Sequence, residues 1–188
     1  MSYDIYCYRS TLGRPDEDEW DAVVSADTAK GTQKNSDPAT KLALVKALTA
    51  SNPRLEAFDF DYGEIARLTT TTIEEAKNQF NHFELNPPKG DPAIQLTVYD
   101  NHVFITVPYW YQDEAADEVF TTLKAYINVI HDTAGYFVYD PQTGQSFDPS
   151  VMDLEGLNKY LSVTEYLSEN VLAGDGVPPA KKPWWKIW

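Results

Sequence analysis

The sequence predicts a single α+β domain, in which one mainly antiparallel sheet of about five strands packs against amphipathic helices. Three patterns indicate this class: an apolar strand at residues 3–9, a three-stranded meander at residues 83–107, and a long amphipathic helix from residue 113. The 188 residues, 43% of them hydrophobic, are enough for one sizeable core. We assign residues 1–173 to this domain and residues 174–188 to an extended C-terminal tail.

In residues 3–9 both alternating sides are apolar, which is typical of a strand covered on two faces, so we place it centrally. Pro15 and the acidic run at residues 16–19 predict the start of a first helix. Asp37-Pro38 predicts the start of a second. The expected inward positions are Trp20, Val23 and Val24 in the first helix and Leu42, Val45 and Leu48 in the second.

Residues 64–80 predict two short helices, with Thr72 and Glu75 at capping-box spacing. The meander follows, with a tight turn at Asp100-Asn101. A long helix then ends at Gly135, and residues 136–139 return as a strand. The inward positions expected in the long helix are Ala116, Val119, Phe120, Leu123, Ile127 and Ile130, and those of a final helix are Leu154, Leu157, Leu161, Leu167 and Val171.

Charge and composition exclude several function classes. The net charge of −14 repels a phosphate backbone, so we expect no nucleic-acid partner. Cys7 is the single cysteine, which rules out an internal disulfide and favours a reducing cytoplasm. No stretch approaches the roughly 20 apolar residues that span a bilayer, so we expect no membrane insertion. Phosphate loops, nucleophile elbows, and zinc and calcium spacings are absent from the sequence, and we expect no cofactor and no metal.

The C-terminal tail is the most unusual segment, because three of the five tryptophans, Trp184, Trp185 and Trp188, lie in its last five residues. Exposed indole rings are costly in water, so we expect them to be buried somewhere. They could pack on their own domain or a neighbouring copy, dock on a partner, or rest with the tail's lysines on a membrane surface.

A second aromatic group, Tyr109-Trp110-Tyr111, follows a strand at a junction where binding residues are often displayed, although packing at the rim of the core is the structural alternative. Residues 58–62 alternate aromatic and acidic side chains, so Asp59 and Asp61 could present two carboxylates on one face. Such a pair can bind a metal or act in acid/base chemistry, but a solvated face is the ordinary interpretation.

His82 and Glu84 share a strand face two residues apart, and His102 lies on a nearby predicted strand. Two histidines and a carboxylate can form a metal site. These residues, or Asp59 and Asp61, therefore define an alternative hypothesis, a small metal-dependent hydrolase.

Several motifs together resemble a family of small uncharacterised bacterial proteins: Tyr3-Asp4-Ile5-Tyr6, His82-Phe83-Glu84-Leu85-Asn86, Val107-Pro108-Tyr109-Trp110, Gly135-Tyr136-Phe137-Val138-Tyr139-Asp140-Pro141-Gln142 and Pro183-Trp184-Trp185-Lys186. This resemblance implies a bacterial, cytoplasmic setting and transfers no site residue. In composition alone, the chain is also similar to immunity proteins that neutralise toxins.

The leading hypothesis is a non-enzymatic protein-binding protein, immunity-like in character, that uses an acidic surface and exposed aromatics. Its candidate binding residues are Tyr109, Trp110, Tyr111, Asp59, Asp61, Trp184, Trp185 and Trp188. The metal-dependent hydrolase is the first alternative, and a structural homodimer subunit is the second.

Overall fold

The computed structural model describes residues 2–28, 37–111 and 113–151, which build one sheet with helices against both of its faces. In chain order the elements are β1 (Ser2–Tyr8), α1 (Glu19–Thr28), α2 (Pro38–Ser51), β2 (Glu56–Ala57), α3 (Tyr62–Thr69), α4 (Ile73–Gln79), β3 (Phe83–Asn86), β4 (Gln95–Val98), β5 (His102–Pro108), α5 (Asp113–Ala134), β6 (Phe137–Asp140) and β7 (Gln145–Phe147), followed by a 3-10 turn at Pro149–Val151.

The seven described strands lie in the order β2-β3-β4-β5-β1-β6-β7, and each neighbouring pair is antiparallel. The α+β prediction is therefore confirmed, while the expected number of about five strands is too low. The extra strands are β2 and β7 at the two edges, with two and three residues, which are too short to show an alternating pattern. The inner position predicted for β1 is confirmed, because it pairs with both β5 and β6.

The core lies on one face of the sheet, called here the first face. A row of side chains crosses four strands in register, with Leu85 opposite Leu96, Leu96 opposite Ile105, and Ile105 opposite Ile5. All four are at most 3% exposed. Helices α2 and α5 pack on this row, and the predicted inward positions of α5 are buried or partly buried: Ala116, Val119, Phe120, Leu123, Ile127 and Ile130.

The predicted inward stripe of α2 is partly wrong. Leu42 is 57% exposed, whereas Leu44 and Leu48 are fully buried and Lys41 is 6% exposed. Strict three-residue spacing drifts around a helix of 3.6 residues per turn, so the buried stripe follows three- and four-residue steps instead. Lys41 is tolerated inside because its ammonium lies 2.7 Å from Asp100 Oδ1.

Helix ends follow the predicted capping chemistry in three places. Asp37 caps α2 by accepting a hydrogen bond from Thr40 N, Thr72 and Glu75 form the capping box of α4, and Gly135 ends α5 at a φ of +68°. The first helix is the exception, since it begins at Glu19, four residues after Pro15.

Tyr8 explains the late start of α1. Its buried hydroxyl donates to the carbonyl of Asp16 and accepts from the Asp16 amide at 2.8 Å, which holds the chain in a turn there. Glu19 then accepts hydrogen bonds from Ser10 and Thr11 at the first helical position. The acidic run predicted to open the helix therefore lies mostly in the preceding turn.

The opposite face of the sheet, called the second face, is flanked by helices at two places. The indole of Trp20 in α1 stacks on Tyr139 with ring centroids 4.0 Å apart and contacts Tyr6 at 5.2 Å. At the other end, Phe60 and Phe80 beside α3 and α4 contact the ring of His82.

None of the helices in the described part of the chain is long and apolar enough to cross a membrane. The predicted final helix and the boundary at residue 174 lie outside the described residues, so both stay predictions.

Candidate functional site

The rim segment, residues 108–111, connects β5 to α5 and holds three of the predicted binding residues. The Tyr109 ring packs edge-on against the buried Tyr3, with centroids 6.4 Å apart. The Tyr111 hydroxyl accepts a hydrogen bond of 2.6 Å from Ala93 N in the loop before β4. Trp110 lies between these two anchors and is 59% exposed. The rim packing considered from sequence therefore applies to the tyrosines, and the indole is left at the surface.

Acidic side chains follow Trp110 directly. Glu114, Asp117 and Glu118 are exposed on the first two turns of α5, and none of them has an ion-pair partner within the described residues. The Cα atoms of Trp110 and Glu114 are at most about 14 Å apart, because four residues of chain span no more than that. We call Trp110, together with these three carboxylates that follow it in the sequence, the Trp110 surface.

A buried polar network supports the rim segment from beneath. Tyr3 donates a hydrogen bond of 2.6 Å to Asp140 Oδ2, and Gln142 N donates to Asp140 Oδ1 at 2.8 Å. With its amide nitrogen facing these acceptors, the Gln142 side chain also donates to Asp140 Oδ1 and to the backbone oxygen of Asp4, both at 2.9 Å. Asp140 is 2% exposed and is thus held as a structural acceptor.

Two tyrosines of this region, Tyr3 and Tyr109, have a pKa raised above the ordinary value of a phenol. Burial, followed by the bond to Asp140, raises the pKa of Tyr3 far above its ordinary value. Burial and the charges of Asp4 and Asp140 raise the pKa of Tyr109 as well. A phenol with a raised pKa is a poor general base. At neutral pH Tyr3 and Tyr109 are therefore not candidates for that role.

The structure gives one of the two predicted carboxylates, Asp61, a capping role. Asp61 is the N-cap of α3, where its Oδ1 accepts a hydrogen bond of 2.9 Å from Glu64 N. Asp59 is exposed on the same loop. Capping accounts for one carboxylate and solvation for the other, so the structural interpretation from sequence is the one that the contacts support.

His82, Glu84 and His102 are only partly brought together. His82 Nε2 lies 3.4 Å from Glu84 Oε1, and Gln95 Nε2 donates to Glu84 Oε2 at 3.4 Å. The His102 ring instead stacks on Tyr99, with centroids 4.3 Å apart. No group of three His, Cys, Asp or Glu side chains in the described segments could hold a metal ion.

Cys7 faces the core and is 1% exposed. Burial raises the pKa of its thiol, which keeps it protonated. A buried, protonated thiol is unreactive, because the thiolate is the nucleophilic form.

Sequence reasoning missed a chain of aromatic rings across the second face. Successive ring contacts of 6.4 Å or less join eight residues: Phe60, His82, Tyr99, His102, Tyr6, Phe104, Trp20 and Tyr139. The signal in the sequence was the placement of aromatic residues at alternating strand positions. In the structure, Tyr6 of β1 pairs with Phe104 of β5. We assign this chain of aromatic rings to packing, because its members contact one another.

Sequence reasoning also missed Glu114, Asp117 and Glu118, although their three- and four-residue spacing after an aromatic cluster was visible. The other predicted binding residues, Trp184, Trp185 and Trp188, lie outside the described residues.

Comparison of the chain with protein-family models, curated proteins and solved structures finds no match. The site therefore has to be interpreted from its own geometry.

Proposed function

We propose that this chain is a non-enzymatic protein-binding protein of the bacterial cytoplasm, and that its partner presents a basic surface to the Trp110 surface. The observation that carries the proposal is the 59% exposure of an indole whose two neighbours are both anchored. Tryptophan is enriched among residues that dominate binding energy at protein interfaces.

The indole offers a large contact area. Its exposed part is roughly 120 Å², taking a tryptophan surface of about 200 Å², so covering it contributes about 3 kcal/mol. The ring packing of Tyr109 and the hydrogen bond of Tyr111 hold the segment on both sides of Trp110, so ordering this segment on binding costs little. A preorganised aromatic anchor of this kind is typical of an interface centre.

The carboxylates determine the kind of partner. Glu114, Asp117 and Glu118 add to the net charge of −14 and attract Lys and Arg side chains, which also favour the face of an indole. Phosphate groups are repelled by the same charges. An immunity-like role, in which the partner is a toxin with a basic surface, is the specific form of this proposal and is supported by charge alone.

Affinity capture from bacterial lysate tests the proposal when matched variants of the full chain serve as bait. Trp110→Ala should weaken capture of a specific partner about 100-fold, which corresponds to the 3 kcal/mol of lost contact. Leu42→Ala is the matched control, because Leu42 is 57% exposed on α2 and belongs to no candidate site. The triple variant Glu114→Gln, Asp117→Asn, Glu118→Gln should weaken capture mainly at low salt.

Equal capture by Trp110→Ala and Leu42→Ala baits would contradict the proposal. Light scattering of the purified chain addresses the homodimer alternative, since a reciprocal dimer doubles the mass at all concentrations above its dissociation constant.

A further inference from the structure

Asp4 of β1 has a carboxylate oxygen that is buried without a hydrogen-bond donor. Among the residues that the structure describes, no donor reaches Asp4 Oδ1. Buried polar atoms in native proteins nearly always have a partner, and a carboxylate oxygen without one is costly. This oxygen therefore indicates a donor that the described part of the chain does not supply.

The surroundings of Asp4 combine a hydroxyl group with two phenol rings. Asp4 lies on the second face, opposite Thr106 of β5 and two residues before Tyr6 on the same strand. Burial, followed by the charge of Asp4, raises the pKa of both Tyr6 and Tyr109, so the carboxylate is within electrostatic range of both phenols. All four residues are partly exposed, so the site is open to solvent although Oδ1 itself is shielded.

The backbone of Asp4 is held in place from two sides. The strand pairing with β5 runs from Ser2 to Tyr8, and the Gln142 amide nitrogen donates to the Asp4 backbone oxygen at 2.9 Å. The terminal torsion of an aspartate is roughly two-fold, so a small rotation exchanges its two oxygens. A donor that arrives from solvent can therefore meet the carboxylate without any movement of the strand.

We infer that Asp4 binds a guanidinium group, supplied by an arginine side chain of the protein partner. This inference rests on the proposed function and names the side chain that the partner contributes. A guanidinium is planar, carries five N–H donors that match a carboxylate, and favours the faces of aromatic rings such as those of Tyr6 and Tyr109. The charge of Asp4 repels phosphate and carboxylate groups.

Asp4 and Trp110 are close enough for one partner to contact both. Directly opposite residues of an antiparallel pair have Cα atoms about 5 Å apart, which applies to Asp4 and Thr106. Trp110 follows Thr106 by four residues, which span at most about 14 Å. The Cα atoms of Asp4 and Trp110 are therefore at most about 19 Å apart, whereas an interface of about 800 Å² per partner is roughly 30 Å across.

Nuclear magnetic resonance of the full chain, labelled with aspartate that carries ¹³C in its side-chain carboxylate, tests this site with methylguanidinium as the probe. At constant ionic strength the Asp4 signal, assigned with Asp4→Asn, should move saturably, with a dissociation constant on the order of 10 mM. Methylammonium should bind at least about fivefold more weakly, because it cannot donate two parallel hydrogen bonds. Asp59→Asn, which changes an exposed carboxylate, should leave the titration of Asp4 unchanged.

Three results would overturn the inference. An Asp4 signal that does not saturate with methylguanidinium would show that the oxygen is satisfied by water alone. Equal affinity for methylammonium would remove the assignment to a guanidinium. In thermal unfolding, Asp4→Asn should be at least as stable as the unmodified chain, because it removes an unpartnered charge. A fall in its melting temperature of more than about 5 °C would instead give Asp4 a structural role.

The two proposals can fail separately. In capture from lysate, Asp4→Asn bait should bind the partner at least about tenfold more weakly than Asp59→Asn bait. Capture that depends on Trp110 and is equal for these two baits leaves the proposed function standing and removes the arginine contact. Saturable binding of methylguanidinium at Asp4, with no partner captured by any bait, retains the guanidinium site and removes the proposed function.

Discussion

Replacing Lys41 with methionine should destabilise the domain strongly, although Lys41 is outside the candidate site. The Lys41 ammonium lies 2.7 Å from Asp100 Oδ1 and donates to the carbonyl of Asn81 at 2.7 Å. The two charged side chains are 7% and 2% exposed. Methionine keeps the apolar stem but removes the cation beside a buried carboxylate, a change that costs about 3–5 kcal/mol. For a domain of this size the melting temperature should fall by about 6–20 °C.

Urea unfolding followed by circular dichroism measures this loss as a shift of the midpoint at constant slope. Lys46→Met is the matched control, because Lys46 is exposed on the same helix, and it should change stability by no more than about 0.5 kcal/mol. The double variant Lys41→Met, Asp100→Asn should recover part of the loss, since the buried charge is then gone. A loss below about 1 kcal/mol for Lys41→Met would refute the reasoning, because the charge of Asp100 would then be compensated without Lys41.

Two further predictions concern single hydrogen bonds. Tyr3→Phe removes the buried bond to Asp140 and should cost about 1.5–3 kcal/mol. Because the folded-state pKa of Tyr3 is raised, this stabilisation is complete below a pH of about 10 and declines at higher pH. In urea unfolding, the difference in unfolding free energy between Tyr3→Phe and the unmodified chain should therefore be smaller at pH 10.5 than at pH 8. Asp37→Ala removes the acceptor for Thr40 N at the start of α2 and should cost about 1 kcal/mol at pH 7. That bond holds the pKa of Asp37 below its ordinary value, so the stability lost in Asp37→Ala should shrink as the pH falls below about 4. Asp37→Asn keeps a capping oxygen and should cost less stability in thermal unfolding.

The larger elements of the fold could be predicted because their patterns are local. The long stripe of α5 and the meander around Asp100-Asn101 each contain enough residues to establish a period. Strand β2 has two residues and exists because Glu56 and Ala57 pair with β3, which a local pattern does not show. The inward orientation of the Lys41 side chain is also not visible in a local pattern, since it depends on the carboxylate of Asp100, which is distant in the sequence.

The candidate site was predicted only in part, because the sequence shows local patterns and does not show contacts between distant residues. An aromatic run at the end of a strand indicated residues 109–111, but it did not distinguish anchors from the exposed ring. Asp61 was set apart from Asp59 only when the start of α3 was known. His102 was predicted only to lie on a strand near His82, and its stacking on Tyr99 depends on how the turn between β4 and β5 closes.

The exposure of Trp110 follows from the packing of its two neighbours. Val103, Ile105 and Val107 of β5 face the core, and beyond the end of this strand the rings of Tyr109 and Tyr111 also pack against the core. An inward indole would have to displace one of these rings. The two tyrosines therefore keep the indole at the surface. Under the proposed function, this outward ring is the point at which a partner makes contact.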